Sequence, residues 1–156
     1  MKIAFRVHGV AQAKGNMKAF RMGAHARLTD ANKNLKSWQT MIASAASIEI
    51  QKLAAHDRAM EAGAVAMSIA FYLPRPQSLK ASIRAHIRKP DIDKCTRAVL
   101  DALEGVVYFA DAQVVNLVVA KRYARPTESP HVDIRIEPAV GVYPLAHDQP
   151  LFAVVK

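Results

Sequence analysis

Residues 90–103 read Pro90-Asp91-Ile92-Asp93-Lys94-Cys95-Thr96-Arg97-Ala98-Val99-Leu100-Asp101-Ala102-Leu103, and they contain the clearest structural signal of the chain. A proline disfavours helix at the residue before it, and a glycine such as Gly105 commonly ends one. Apolar residues recur between these two limits at helical spacing, at positions 92, 95, 99 and 103. The pattern predicts a helix from about Asp93 to Glu104 with an inward apolar face and an acidic start.

Outward from this helix, four segments have strand patterns: residues 2–8, 64–73, 113–123 and 131–137. A further helix is predicted to start at Thr29-Asp30 and to run to about His56, with Trp38 in the core. Residues 10–28 between them are predicted to be a basic loop, with room for a short strand near residues 19–22. These elements predict one α/β (α+β) domain over residues 1–156, a small mixed sheet flanked by two main helices. Residues 139–156 form a C-terminal tail whose packing the pattern leaves open.

Composition narrows the class of protein. The chain has 156 residues, of which 51% are hydrophobic, so it can bury a core. No apolar run approaches the roughly 18 residues of a membrane helix, and the charged N-terminal stretch is unlike a signal peptide. The single cysteine, Cys95, cannot form an internal disulfide, which fits a reducing cytoplasm. We therefore expect a cytoplasmic protein without a membrane partner.

The net charge of +9 points to a nucleic-acid partner. The alternative is scattered solubilising charge, but the basic residues are concentrated in three segments, within residues 2–36, 75–97 and 121–125. Contacts to phosphates position a nucleic acid and depend strongly on salt. The candidates for such contacts are Lys14, Lys18, Arg21, Arg84, Arg88, Lys89, Lys121 and Arg122.

The acidic residues in this basic chain indicate a metal site. Asp91 and Asp93 stand at the predicted helix start, where both side chains can converge, and Asp111 can join them if the next strand runs alongside the helix. Carboxylates suit Mg²⁺ or Mn²⁺, and Arg97, one helical turn after Asp93, can neutralise transition-state charge in phosphodiester cleavage. The other interpretation is that an Asp at a helix start only caps the helix. Spacing alone leaves both interpretations open.

The chain resembles the RusA family of Holliday-junction resolvases, endonucleases common in prophages that act in DNA recombination and repair. The resemblance is carried by Pro90-Asp91-Ile92-Asp93, Arg97, Leu100-Asp101-Ala102-Leu103 and Asp111-Ala112-Gln113-Val114-Val115. It implies a RusA-like fold and a homodimer that binds four-way junction DNA and makes paired symmetric nicks with Mg²⁺, for which Mn²⁺ can substitute. It also implies that Asp91, Asp93 and Asp111 are metal-binding catalytic carboxylates.

Three positions depart from the family pattern. Arg97 stands where the family usually has lysine, Lys94 replaces an asparagine, and Ala110 replaces the first of two paired acids. Arginine keeps the positive charge but has a planar, forked geometry. Two competing functions remain: a non-catalytic DNA-binding protein on the same fold, and a metal-dependent nuclease that prefers flaps or single strands. Aromatic residues such as Phe20 or Tyr108 could stack at a junction, or could be core.

Overall fold

The computed structural model describes residues 1–15, 17–22, 25–30, 32–58 and 61–139; within residues 17–30 it describes only the course of the backbone. The main elements are β1 (Ile3–His8), β2 (Met17–Met22), β3 (His25–Asp30), α1 (Leu35–Gln51), β4 (Val65–Leu73), α2 (Ile92–Leu103), β5 (Val114–Tyr123) and β6 (His131–Pro138). Short 3₁₀ turns occupy Ala55–Asp57 and Asp111–Gln113.

A four-stranded sheet in the order β1-β6-β4-β5 organises the domain, and β2 and β3 pair separately as a hairpin. β6 is antiparallel to both β1 and β4, whereas β4 and β5 are parallel. Parallel neighbours need a crossover connection, and α2 supplies it. Because α2 leads from the end of β4 back to the start of β5, it runs opposite to β5. The mixed sheet and two main helices confirm the predicted fold class.

The core lies between one face of the sheet and the two helices. Alternate strand residues point into it, such as Met67 and Ile134, and α1 and α2 contribute Ile42 and Val99. Each fully buried side chain of this kind stabilises the fold by roughly 1.5–3 kcal/mol. Trp38 is only 3% exposed, which confirms its assignment to the core. Within the described residues no helix covers the opposite face of the sheet, where Ser68, Ala70 and Val118 line a hollow; this face is called the open face.

The start of α1 corrects one prediction. Thr29 and Asp30 do not begin a helix but end β3, in register with Lys18 and Met17 of β2. The stretch predicted as mainly loop thus contains two paired strands, in which backbone groups of one strand bond to those of the other. The capping preference of a single residue does not reveal such pairing. The helix begins at Leu35 and ends at Gln51, short of His56.

The other boundaries agree with the sequence patterns to within one or two residues. α2 covers Ile92–Leu103 with Glu104 as its C-terminal cap, and the strands predicted over 64–73, 113–123 and 131–137 are present. Ile92 is an exception to the predicted inward face of α2: it is 39% exposed, because the first turn borders an open groove between α2 and β5. Within the described residues, no helix is long and apolar enough to cross a membrane. Residues 140–156 of the predicted tail lie outside the described part of the chain.

Candidate functional site

The start of α2 presents two exposed carboxylates. Asp91 occupies the N-cap position with an extended backbone, and its carbonyl oxygen accepts the first helical hydrogen bond from the Cys95 N–H at 3.1 Å. Its carboxylate makes no capping hydrogen bond, and Lys94 Nζ lies 3.6 Å from Asp91 Oδ2. Asp93, in the first turn, is also exposed. Asp91 therefore marks the helix start through its backbone, which leaves its carboxylate oxygens available to a ligand.

Lys121 on β5 fixes the chain just before these carboxylates. Its ammonium group donates to the carbonyl oxygens of Arg88 and Pro90, each at 2.8 Å. Lys121, one of the residues predicted to contact DNA, thus holds the segment that leads into α2. This bond network joins the end of β5 to the start of α2, as expected when the two elements run in opposite directions.

Cys95 lies beneath the acidic start and is completely buried. Burial raises the pKa of its thiol to about 11, although Lys121 opposes this shift while Asp91 and Asp93 add to it. The thiol is therefore protonated at neutral pH, and because it is completely buried it is not accessible from the surface. The two carboxylates are hard oxygen donors, so the residues at this end of α2 fit Mg²⁺ or Mn²⁺ in preference to zinc.

Asp111 lies at the opposite end of α2. The Tyr108 hydroxyl is 3.1 Å from the Leu100 carbonyl oxygen and 3.3 Å from Asp111 Oδ1, so Asp111 stands beside the last turns of the helix. Tyr108 is completely buried, so it belongs to the core and has no stacking surface. Burial first, and the Asp111 carboxylate second, raise the pKa of Tyr108 above its usual range. Tyr108 thus serves as a neutral donor that orients Asp111.

Gln113 holds the turn that carries Asp111. Its Oε1 accepts the N–H groups of Phe109 and Ala110 at 2.8 and 2.9 Å, and its Nε2 donates to the carbonyls of Glu61 and Gly63 at 2.8 and 2.9 Å. One side chain thereby ties the 3₁₀ turn to the segment before β4. Sequence reasoning treated Gln113 only as part of a motif; its position in the Asp111-Ala112-Gln113 run was the signal for this positioning role.

The three carboxylates are not brought together within one chain. Asp93 precedes Leu100 by seven residues, which is about 10 Å along a helix, whereas metal–oxygen bonds are about 2.0–2.6 Å long. Within the described residues, no group of three or more His, Cys, Asp or Glu side chains could hold a metal ion. The three-carboxylate metal site stays a prediction, and it requires more than the geometry of one chain.

Arg97 is exposed and forms no ion pair with any residue in the described ranges. It lines the groove between α2 and β5, a hollow of about 490 Å³, together with Asp93 and apolar residues of both elements. The guanidinium group therefore stands one turn from Asp93 on an accessible surface. This placement is compatible with its predicted role as a nearby cation.

Six of the eight predicted DNA contacts have side chains that the structure describes, and these fall into three sets. Lys14 is partly committed, because its ammonium group lies 2.5 Å from Asp101 Oδ2. Arg88 and Lys89 are exposed in the segment before α2. Arg84, Lys121 and Arg122 line a basic hollow of about 730 Å³. Arg6 and Arg125, which were not among the predicted DNA contacts, also line it. The side chains of Lys18, Arg21 and Phe20 lie outside the described part of the structure.

Comparison with known proteins agrees with the acidic motif. The family model described as "Endodeoxyribonuclease RusA" matches residues 9–137, which include the start of α2 and the Asp111 turn. A Bacillus subtilis (strain 168) protein, "Uncharacterized protein YqaN", is 30% identical over 146 residues, which cover 86% of this chain and 94% of that protein. The family match therefore extends over nearly all of the described fold.

Proposed function

Because the chain belongs to the RusA endodeoxyribonuclease family, we propose that it resolves four-way DNA junctions in the cytoplasm by paired, Mg²⁺-dependent nicks during recombination and repair. The observation that carries this proposal is the pair of exposed carboxylates at the start of α2, which make no capping bonds and follow directly on the segment that Lys121 holds through its backbone carbonyls. A basic surface beside hard oxygen donors suits a phosphodiester substrate.

A homodimer with shared sites fits the separation of the carboxylates. β5 is the last strand of the sheet, and among the described residues its outer edge is covered only at its end, where the Tyr123 N–H donates to the Arg84 carbonyl at 2.8 Å. Val115 and Val118 on the remaining length are 64% and 61% exposed. An exposed apolar edge strand commonly pairs with another chain.

Two copies related by a two-fold axis would pair their β5 edges antiparallel. The start of one β5, with Asp111, would then lie beside the end of the other, where Lys121 meets the start of α2. Asp91 and Asp93 of one chain and Asp111 of its partner would form each site. Two symmetric sites suit a substrate that is itself two-fold symmetric.

Each residue then has a defined task. Asp91, Asp93 and the partner-supplied Asp111 would hold the cation, which supplies charge stabilisation and a more acidic water when bound. Arg97 offsets the negative charge that develops on the phosphoryl group, and Lys121 keeps the start of α2 in position. Tyr108 and Gln113 orient the Asp111 turn.

Cleavage of a labelled synthetic four-way junction tests the function, with flap, single-strand and linear duplex substrates assayed beside it in Mg²⁺, Mn²⁺ and a chelator. We expect junction nicking that requires metal and that falls by two or more orders of magnitude in Asp93→Asn, on the scale of other electrostatic catalytic groups. Asp57→Asn, a remote carboxylate in the first 3₁₀ turn, is the matched control and should cut like the parent chain.

The competing functions predict other results. A non-catalytic DNA-binding protein would bind the junction and never cut it in either metal, which would refute the proposal. A nuclease of another preference would cut flaps or single strands faster than junctions. No observed contact favours either competitor.

A further inference from the structure

The basic hollow of about 730 Å³ lies on the open face of the sheet, at the end away from the start of β5. Five cationic residues line this hollow, Arg6, Arg84, Lys121, Arg122 and Arg125, against one carboxylate, Glu128. They come from β1, the segment before α2, the end of β5 and the turn that follows it. Convergence from separate segments makes this a shaped concavity in the fold, not a run of neighbouring charges.

Two of the five cations are already used. Arg6 makes a two-pronged contact with Asp133, with nitrogen–oxygen distances of 2.7 and 2.9 Å, and this hydrogen bonding raises the pKa of Arg6. Lys121 donates to backbone carbonyls. The guanidinium groups of Arg84, Arg122 and Arg125 have no acidic partner in the described ranges, and Arg84 Nε is buried without a hydrogen bond there. The hollow therefore holds uncompensated positive charge.

A stacked pair of rings lies at one wall of this hollow. Tyr72, which lines it, stacks on His131 with ring centroids 4.3 Å apart and planes 17° from parallel. His131 is only 1% exposed; its Nδ1 lies 2.8 Å from the Ser129 carbonyl, and its Nε2 has no hydrogen-bond partner among the described residues. The buried His131 ring thus supports the half-buried Tyr72 ring that lines the concavity.

We propose that this hollow binds a phosphate of the nucleic-acid backbone away from the cleaved bond, with Arg122 and Arg125 as the principal contacts. This inference rests on the proposed function, because it assumes a nucleic-acid substrate. Guanidinium forks match phosphate oxygens in two-pronged geometry, which surface lysines do not. The strand would then extend from the start of α2, past Lys121, onto the open sheet face.

Salt-dependent binding of a labelled four-way junction tests the site. Each lost phosphate contact lowers the slope of log affinity against log salt by about 0.9. We expect Arg122→Ala and Arg125→Ala each to show about this decrease with several-fold weaker binding, and Arg125→Lys to retain the slope. Lys36→Ala, an exposed lysine on α1, removes the same charge as a control and should keep the parent slope. Melting curves verify that every variant is folded.

Two results would overturn the inference. One is an unchanged slope in both arginine variants. The other is tight binding of inorganic phosphate that both variants lose while their junction binding stays like that of Lys36→Ala; the hollow would then be a small-anion site. Failure of the proposed function is seen separately, because the parent chain would then bind the junction without cutting it in Mg²⁺ or Mn²⁺, while the two arginine variants would still show the lower salt slope.

Discussion

Mixing two inactive variants should restore cleavage if each site draws residues from two chains. Asp93→Asn and Asp111→Asn each disable both sites of their own homodimer. In a mixed dimer, both substitutions fall in the same site. The other site then keeps Asp93 of one chain and Asp111 of the other, and is intact.

The size of the recovery follows from geometry and statistics. Asp93 and Asp111 stand near opposite ends of α2, about 10 Å or more apart along its axis, so one chain cannot supply a single ion with both. Random exchange of subunits makes about half of the dimers mixed, each with one intact site of two, so about a quarter of the parent sites return. Those dimers should nick one strand of a junction per encounter.

The assay is single-strand nicking of an end-labelled junction after the two variants have been co-refolded at equal concentrations. The matched control mixes Asp91→Asn with Asp93→Asn, which lie at the same end of α2 and leave every mixed dimer with two damaged sites. We expect no recovery there. The reasoning is refuted if the first mixture stays as inactive as the control although both variants fold, dimerise and bind the junction.

Other predictions concern stability. Gln113→Ala removes four hydrogen bonds and should lower the free energy of unfolding by about 2–4 kcal/mol in urea titrations; a loss below about 0.5 kcal/mol would contradict the positioning role. Gly9→Ala should cost about 1–3 kcal/mol, because its φ is +130° and a Cβ would lie 3.2 Å from the buried Trp38 ring; an unchanged melting temperature would count against this. Burial first, then Lys121, lowers the pKa of His86, so the unfolded chain binds its proton more readily, and stability should fall as the pH drops below about 6.5. His86→Phe should weaken that dependence in melts from pH 5 to 8, and an identical profile would argue against it.

The sequence predicted the helix that carries the candidate site and the family of the chain, whereas the metal site itself stays a prediction. The helix from about Asp93 to Glu104 is present as α2, and the acidic motif matched the correct family before any fold was available. Asp91 could not be assigned in this way. A cap and a ligand have the same sequence signal; the structure shows that the Asp91 side chain makes no capping hydrogen bond, and its role as a metal ligand stays a prediction.

Sequence reasoning did not single out three residues, Arg6, Arg125 and Gln113. Their surroundings depend on segments that are distant in the chain. Arg6 meets Asp133 across the β1–β6 pair, and Gln113 bonds to residues 61 and 63, about 50 positions earlier. Of the paired strands β2 and β3, the sequence indicated only a short strand near residues 19–22, because the pattern of one segment does not show which other segment it pairs with.

The sequence by itself determined the fold class, the oxygen-donor character of the site and the basic surface around it, because composition, period and residue chemistry are local properties. Only the tertiary structure shows how those groups are placed relative to one another. α2 runs opposite to β5, so the chain that follows the helix carries Asp111 to its far end while Lys121 returns to its start. That direction is set by the parallel pairing of β4 and β5, a contact between strands 40 or more residues apart. It is why two chains, not one, are proposed to complete the site.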